Sequence, residues 1–355
     1  MELSGRETIG KSGKRRLLPF ASSCTLILSL ISCAPAFKAN LDVAMEHKIF
    51  WPGAPEKPRI TYLWSLYSLM PEGSSVMDML AGKYEFYDVK AAPVLLKPMY
   101  ASRRADNLYI ADAGAARVTV INLKSREVFH VGVEEKGELS LPVCVVTDPE
   151  GNIYVSDATL HKVYKYDPKG RFIKDFPFEG ARPVGLFYED ASQSLYVSDT
   201  AGHAVHVFDK EGKLRFTIGK RGEEDGEFNF PTYLWADSGH LIVADTLNAR
   251  IQIFDAHGRF LSKFGIRADT FKGFSTPKGV AADTFGNIYV VDSRQDMVKI
   301  FDKDGNILLS LGSEGNDYGK FNLPNGIFID KENTIYVSDT YNMRIQAFSL
   351  IKGAE

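Results

Sequence analysis

Six aspartates recur along this chain at intervals of 42 to 47 residues, and each ends a short apolar run such as Ile-Tyr-Val-Ser-Asp. They are Asp112, Asp157, Asp199, Asp245, Asp292 and Asp339. Carboxylates at equivalent positions of a repeat could together line a cation site. Each could instead accept hydrogen bonds from backbone N–H groups in the polar turn that follows it. We favour the second role, because a single cation site would not need one copy of the same residue in every repeat.

A basic residue follows the aspartate by five positions in four of the six repeats. These residues are Arg117, Lys162, Arg250 and Arg344, whereas the third and fifth repeats have Ala204 and Met297. The charge would either pair with the aspartate of a neighbouring repeat or remain solvated, and we expect pairing. His161 and His203 occupy equivalent places in adjacent repeats, but no third ligand in register accompanies them. We therefore expect surface histidines at these two positions and no metal site.

The residues of each repeat form four strand-like segments, which we name A, B, C and D in chain order. β-Branched and aromatic residues fill these segments, and an Asp-x-x-Gly turn joins C to D in four repeats. Segment B is apolar at nearly every position, whereas a half-exposed strand would alternate between apolar and polar residues. Both faces of B must therefore be covered, as happens when blades pack side by side around a ring. The pattern predicts an all-β fold, a six-bladed β-propeller of four-stranded antiparallel blades.

Two stretches carry a resemblance to a known family. Asp245-Thr-Leu-Asn-Ala-Arg-Ile-Gln-Ile-Phe-Asp255 and Asp339-Thr-Tyr-Asn-Met-Arg-Ile-Gln-Ala-Phe348 resemble the core of the NHL repeat, and so do the glycine-rich connectors Gly219 to Pro231 and Gly312 to Pro324. Repeats one to three depart from the pattern at their connectors, and the third lacks the basic residue. The resemblance implies a six-bladed β-propeller of the NHL type.

The sixth repeat reaches only segment C at Phe348 before the chain ends at Glu355. An open propeller would expose a long strand edge, so another segment must supply the missing outer strand. The strand-like run 59–68 precedes the first repeat, and we expect it to pair with segment C of the last blade and close the ring. The propeller would then span residues 59–350, with 69–91 as an insertion loop and 351–355 as a short C-terminal tail.

The N-terminal residues have the composition of an export signal. Basic residues precede an apolar stretch from Leu17 to Ile31, which is too short to span a membrane as a helix. The stretch closes in Leu-Ile-Ser-Cys33, which resembles a bacterial lipobox, so we expect a lipoprotein-type signal peptide over residues 1–32 and lipidation of Cys33. Ordinary secretion with cleavage after residues 34–36 is the alternative. Residues 33–58 are proline-rich, and we expect them to form an extended tether from the membrane.

Charge and cysteine content restrict the possible partners and cofactors. Loss of residues 1–32 removes five basic and two acidic residues from totals of 42 and 45, which leaves a net charge of −6. We therefore expect no nucleic-acid partner. Of the three cysteines only Cys144 lies within the repeats, and its apolar neighbours indicate a core residue. We expect an exported, lipid-anchored protein of the cell envelope, facing the periplasm or held at the outer membrane because Ala34 replaces an inner-membrane retention aspartate.

In a propeller the D-to-A connectors and the B-to-C turns share one face, here called the connector face. We expect partners to bind there, at His161, Lys162, His203, Arg250, Arg294, Asp296, Tyr341 and Arg344. The channel would be lined by the residue after the opening proline of each A segment, namely Met99, Val143, Val184, Thr232, Lys278 and Asn325. This ring includes the ammonium of Lys278 and the amide of Asn325 but no carboxylate or histidine, which disfavours a bound metal.

These observations favour a binding scaffold over an enzyme. We expect a membrane-tethered, monomeric propeller that binds another envelope protein, a peptide or a glycan and that needs no cofactor. Metal-dependent propeller enzymes, such as the amidating lyases similar to NHL proteins and the six-bladed lactonases, are the alternative from the enzyme class. A structural subunit of a larger envelope complex is a third possibility.

Overall fold

The computed structural model describes residues 39–42, 49–53, 55–68, 94–176 and 178–351. The expected signal peptide (1–32), Cys33, the insertion loop (69–91) and residues 352–355 lie outside these ranges. None of the helices in the described ranges has the length and apolar composition that crossing a membrane requires.

Five blades are four-stranded antiparallel sheets in which A to D follow one another from the channel outward. Blade 1 comprises β4 (Pro98–Arg104), β5 (Asn107–Asp112), β6 (Arg117–Asn122) and β7 (Val128–Val131). Blade 2 comprises β8 (Pro142–Thr147), β9 (Ile153–Asp157), β10 (Lys162–Tyr166) and β11 (Phe172–Phe176). Blade 3 comprises β12 (Pro183–Glu189), β13 (Ser194–Asp199), β14 (Ala204–Asp209) and β15 (Leu214–Ile218).

The remaining blades follow the same order along the chain. Blade 4 comprises β16 (Pro231–Ala236), β17 (His240–Asp245), β18 (Arg250–Asp255) and β19 (Phe260–Phe264). Blade 5 comprises β20 (Pro277–Ala282), β21 (Ile288–Asp292), β22 (Met297–Phe301) and β23 (Ile307–Leu311). Blade 6 contains β24 (Ile327–Ile329), β25 (Thr334–Asp339) and β26 (Arg344–Leu350). The predicted six-bladed propeller is confirmed.

The B strands are buried along their length, as their apolar composition requires. Every residue of β9 and of β13 is buried. Hydrophobic clusters form between adjacent blades, so each B strand is covered on both faces by neighbouring sheets. The Asp-x-x-Gly turns join C to D as predicted: in blade 4 the Gly258 N–H donates to the Asp255 carbonyl at 3.0 Å, with Gly258 in the left-handed region at φ +78°.

An N-terminal strand closes the ring. The strand β3 (Ile60–Ser68) pairs antiparallel with β26 and supplies the outer strand that the sixth repeat lacks, with Leu66 opposite Ile345 and Ile60 opposite Leu350. Tyr62 packs edge-on against Phe348, with ring centroids 5.6 Å apart. Closure by residues 59–68 is thus confirmed.

Two further short strands cover the outer edge of β3. They are β1 (Asn40–Asp42) and β2 (Phe50–Trp51), and both pair antiparallel with β3. The Trp51 ring also packs against Phe348, with ring centroids 5.5 Å apart. The described part of 33–58 therefore lies on the propeller, which differs from the extended tether expected for it. The physical reason is that β3 would otherwise expose an unpaired edge.

Candidate functional site

The aspartate that ends the B strand of blade 4 is the centre of a buried polar clamp. The Asp245 carboxylate accepts hydrogen bonds from the Asn229 N–H at 2.7 Å, from the Asn248 amide at 2.8 Å and from the Arg250 Nε at 2.7 Å. A further bond comes from the Gln252 amide at 3.2 Å. Burial raises the pKa of Asp245, although these hydrogen bonds and the guanidinium charge oppose the shift. The carboxylate is inaccessible to solvent, so its role is to stabilise the blade.

Arg250 joins this aspartate to the connector that enters the same blade. Its guanidinium donates to the backbone carbonyls of Glu223, Glu224 and Glu227 at 2.6 to 2.9 Å. The expectation that the basic residue pairs with a neighbouring blade's aspartate is therefore wrong, because strands B and C of one blade are adjacent and place Arg250 directly opposite Asp245. Blade 6 repeats the arrangement, with Arg344 2.7 Å from Asp339.

The other four aspartates also accept backbone hydrogen bonds at the ends of their B strands. Asp157 accepts from the N–H groups of Ser140 and Leu141 in the preceding connector and of Thr159 and Leu160 in the following turn. Asp112, Asp199 and Asp292 likewise accept from the N–H groups of their preceding connectors. Each aspartate thus fastens one connector to its own blade.

Blades 3 and 5 lack a basic residue five positions after the aspartate. In both blades a basic residue stands instead at the seventh position after it. In blade 3 the His206 Nε2 lies 3.6 Å from Asp199, and in blade 5 the Lys299 Nζ lies 3.6 Å from Asp292. Burial would raise the pKa of Asp199, but hydrogen bonds from His206 and from backbone N–H groups hold it at about 2. Ala204 and Met297 are therefore compensated within their own strands.

The two histidines and Asp296 have mainly conformational roles. Residues four positions after each aspartate adopt left-handed backbone geometry in all six blades; they are Ala116, His161, His203, Ala249, Asp296 and Met343, with φ between +49° and +57°. His203 is buried, so the surface position expected for it is wrong, and its Nδ1 lies 3.2 Å from the Phe228 carbonyl. Asp296 accepts a bond of 2.6 Å from the Leu323 N–H.

The remaining residues of the expected binding face lie in different settings. Lys162 is exposed and forms an ion pair of 2.5 Å with Asp175 on the adjacent D strand. Arg294 is exposed at the start of a B-to-C turn, and Tyr341 is 58% exposed in the equivalent turn of blade 6. The structure therefore does not bring the eight expected residues together into one concave site.

The channel narrows just inside the connector face. In blades 1 to 5 the strand register shifts directly after the opening proline of strand A. The residues two positions after the opening proline of each A segment form a ring in which two tyrosines are separated by two small residues on either side: Tyr100, Cys144, Gly185, Tyr233, Gly279 and Gly326. The small members are required, because a Cβ on Gly326 would lie 2.6 Å from a ring carbon of Tyr100.

Tyr233 crosses the channel from blade 4. Its hydroxyl donates to the carbonyls of Met99 in blade 1 at 3.2 Å and of Val143 in blade 2 at 3.4 Å. The Tyr100 ring stacks on it with centroids 5.2 Å apart and an interplanar angle of 13°. Burial raises the pKa of both phenols well above the usual value, so they stay neutral. We call this pair the tyrosine plug, and it separates the two mouths of the channel.

The opposite mouth opens on the face formed by the A-to-B and C-to-D turns, here called the hairpin face. A cavity of about 1360 Å³ lies there and is lined by residues of all six blades. Aromatic side chains at its wall include Phe187 and Trp235, whose ring centroids are 6.0 Å apart, together with Phe285 and Phe328. The cavity therefore combines stacking surfaces with the charged ends of the turns.

Ion pairs between blades hold the polar wall of this cavity. Arg104 donates to Asp190 of blade 3 through two bonds, of 2.8 and 3.2 Å, and to Thr147 of blade 2. The preceding Arg103 forms a 2.6 Å ion pair with Asp330 of blade 6. Two consecutive arginines at the end of β4 thus fix the turns of three other blades around the mouth.

A groove continues from the cavity toward the rim between blades 4 and 5. Trp235, Ile242 and Ile253 lie opposite one another in a row across strands A to C of blade 4, and the row continues to Leu261 at the bulge in strand D. The facing wall in blade 5 includes Ala282. Neighbouring strands lie about 4.8 Å apart, so the row is about 14 Å long. Ile242 and Ile253 are buried between the blades, whereas Leu261 at the outer end is 51% exposed. Cavity and groove together could hold an extended chain.

Metal-ligating side chains do not converge in the part of the chain that the structure describes. Across those ranges, no group of three or more His, Cys, Asp or Glu side chains is arranged to hold a metal ion. Cys144 is fully buried, and its thiol contacts the Leu186 carbonyl. Burial raises the pKa of this thiol far above its usual range, so it is a core residue.

Comparison with known families and structures agrees with this architecture. The NHL repeat model matches residues 321–348, and a 6-bladed beta-propeller family matches residues 188–263. A search of curated protein sequences found no match.

Solved structures share the fold at low sequence identity. A streptogramin B lyase is 12% identical, with a TM-score of 0.52 over 72% of this chain and 94% of that chain. A virginiamycin B lyase from Staphylococcus aureus is 16% identical, with a TM-score of 0.53 over 72% and 96%. An auxiliary nutrient binding protein from Bacteroides thetaiotaomicron is 13% identical, with a TM-score of 0.56 over 72% and 69%. The protein is therefore a six-bladed β-propeller, and its sixth repeat matches the NHL repeat.

Proposed function

We propose that this protein is a lipid-anchored binding scaffold of the bacterial cell envelope, and that its ligand occupies the cavity of the hairpin face. The observation that carries the proposal is the cavity itself, a concave site of about 1360 Å³ with aromatic walls and fixed polar groups. Such a combination is the usual form of a ligand site, in which apolar surface supplies affinity and a few polar groups supply orientation.

The shape of the site favours an extended ligand, either a peptide or a glycan. The aromatic rings of Trp235 and Phe187 offer flat apolar surface, and the groove between blades 4 and 5 extends it by about 14 Å. About four residues of an extended peptide would span that length. The ion pairs of Arg103 and Arg104 hold the turns rigid, so little conformational entropy would be lost on binding.

The proposed location differs from the connector face favoured by the sequence. On that face the buried Arg250, Arg344 and His203 are occupied by structural hydrogen bonds and are not available to a partner. The lyases and the nutrient binding protein resemble this chain at 12 to 16% identity, which extends to the fold alone.

Site-specific photo-crosslinking in intact cells tests which face binds. Phe285 at the cavity and Tyr341 on the connector face are aromatic and are 59% and 58% exposed, so they form a matched pair for replacement by a photoreactive phenylalanine. We expect a crosslinked product from position 285 and none from position 341. A product from 341 alone would move the site to the connector face, and the location proposed here would be wrong.

The lipid anchor has its own test. Acyl chains contribute about 0.8 kcal/mol per buried CH₂, so a multiply acylated Cys33 would hold the protein firmly on a membrane. We expect Cys33→Ser to release the protein into the soluble fraction, whereas Cys144→Ser should leave fractionation unchanged. Membrane retention of the Cys33→Ser protein would remove the anchor from the proposal.

A further inference from the structure

The connector-face end of the channel lies across the tyrosine plug from the cavity. The tyrosine plug forms its floor, and the second residues of the six A strands form its wall. The wall residues are close to one another across blades: the Asn325 amide of blade 6 lies 3.9 Å from the Met99 sulfur of blade 1, and the Thr232 hydroxyl of blade 4 donates to the Lys278 carbonyl of blade 5 at 3.1 Å.

Lys278 is the charged member of this wall and has no counter-ion in the described part of the chain. Among those residues, no carboxylate lies within 4.0 Å of the amine of Lys278 or of Lys97, which stands just before the opening proline of blade 1. Burial lowers the pKa of the partly buried Lys278 ammonium, and the positive charge of Lys97 lowers it further. Lys278 is therefore a partly buried cation without a paired carboxylate among the described residues, and the charge of Lys97 adds to the positive potential around it.

The carboxylates of this face, which could have neutralised the two lysines, are bound to other groups. The six aspartates at the ends of the B strands belong to the same face, but each is held by the N–H groups of its connector. Placing a partly buried ammonium beside another cation is unfavourable in the free protein, and an anion in the mouth would remove that cost. The same two charges would attract it from solution.

We propose that the connector-face mouth of the channel binds a small anionic group, a carboxylate or a phosphate, through the Lys278 ammonium with support from Lys97. The Asn325 amide provides a neutral donor on the same wall. The tyrosine plug closes the floor, so only the end of a ligand or a small free anion would enter. This site lies on the opposite face from the cavity of the proposed function and does not depend on it.

Thermal melting of the purified protein tests the site with inorganic phosphate and with acetate as separate probes. Each anion replaces chloride at constant ionic strength, and the melting temperature is followed against its concentration for wild type, Lys278→Met and Lys210→Met. Lys210 is an exposed lysine in the C-to-D turn of blade 3 and serves as the control. Anion binding to the folded state alone raises the melting temperature with concentration, which yields an apparent Kd.

We expect the apparent Kd for the bound anion to rise about 10- to 100-fold in Lys278→Met, the loss typical of a hydrogen bond to a charged group, while Lys210→Met behaves as wild type. A response to phosphate alone identifies a phosphate site, and a response to acetate alone identifies a carboxylate site. General salt effects act equally on all three proteins and cancel in the comparison. The proposed site does not exist if the melting temperature of Lys278→Met rises with anion concentration as that of wild type does. It also does not exist if neither anion raises the melting temperature of wild type more than that of Lys278→Met.

Discussion

Replacement of Arg250 by methionine should destabilise the propeller much more than the same replacement of Arg259. Both arginines belong to blade 4 and form ion pairs of 2.6 to 2.7 Å with an aspartate of their own blade. The Arg250 side chain is 8% exposed and that of Asp245 is 0%, whereas the Arg259 side chain is 78% exposed. The comparison therefore varies burial while it keeps residue type and pair distance nearly constant.

The expected magnitudes follow from burial. Removing one partner of a buried pair costs about 3 to 5 kcal/mol, because the charge that remains has lost its compensation. The three carbonyls bound by Arg250 lie near the connector face, where water can replace the guanidinium, so we add no further cost for them. An exposed pair such as that of Arg259 is worth about 0 to 1 kcal/mol.

Urea unfolding followed by tryptophan fluorescence measures the difference. With an unchanged m value, the shift in midpoint reports the change in the free energy of unfolding. If unfolding is irreversible, the melting temperature should fall by about 2 °C per kcal/mol for a domain of this size. Equal destabilisation by Arg250→Met and Arg259→Met would refute the view that the clamp depends on a buried ion pair.

The cost of Arg250→Met should also depend on pH. Burial already raises the pKa of Asp245 above its ordinary 3.8, and loss of the guanidinium removes an opposing effect and raises it further. The folded variant then binds a proton at Asp245 that the folded wild type does not. The destabilisation caused by Arg250→Met should therefore shrink as the pH falls toward the range in which carboxyl groups titrate. A penalty that stays constant down to that range would show that the Asp245 charge is not the cause.

Three other predictions concern the channel, the closure and acid stability. Gly326→Ala should lower the free energy of unfolding by about 1 to 3 kcal/mol, because the added methyl group crowds Tyr100. A methyl group added at Gly53 would meet no atom within 4 Å, so Gly53→Ala should change the urea midpoint little. Deletion of β3 should unfold or oligomerise the protein in size-exclusion chromatography, and a stable monomer would contradict closure by that strand. Burial and the nearby Arg117 lower the pKa of His130 from 6.5 to about 3, so stability should fall as the pH decreases below 6.5. His130→Phe should flatten that decline in thermal melts, and an unchanged slope would exclude His130 as its source.

The basic residues that lie beside the aspartates of blades 3 and 5 could have been predicted from the sequence, but they were missed. Ala204 and Met297 interrupt the series of basic residues, but His206 and Lys299 place a basic side chain beside the aspartate two positions later. Residues two apart in a strand point to the same face, so the seventh position after the aspartate can reach it from strand C much as the fifth does. The period-two rule, applied to strand C, is the signal in the sequence that indicates this compensation.

The sequence by itself determined the strands and turns of each blade. The apolar B strands and the Asp-x-x-Gly turns are local signals that act within about ten residues along the chain, and the regular spacing of the six aspartates shows that these signals repeat. Closure by residues 59–68 also followed from the sequence, since the sixth repeat lacks an outer strand and an open edge is unfavourable.

Only the tertiary structure decided what lies at the centre of the ring. Tyr233 bonds to Met99, 134 residues away, and Arg104 bonds to Asp190, 86 residues away, because blades that are distant in sequence meet across the channel. The plug, the cavity on the hairpin face and the lack of a partner for Lys278 among the described residues depend on which turn and which inner residue each blade presents to the others. Those contacts arise from packing around a closed ring, and no pattern within a single repeat encodes them.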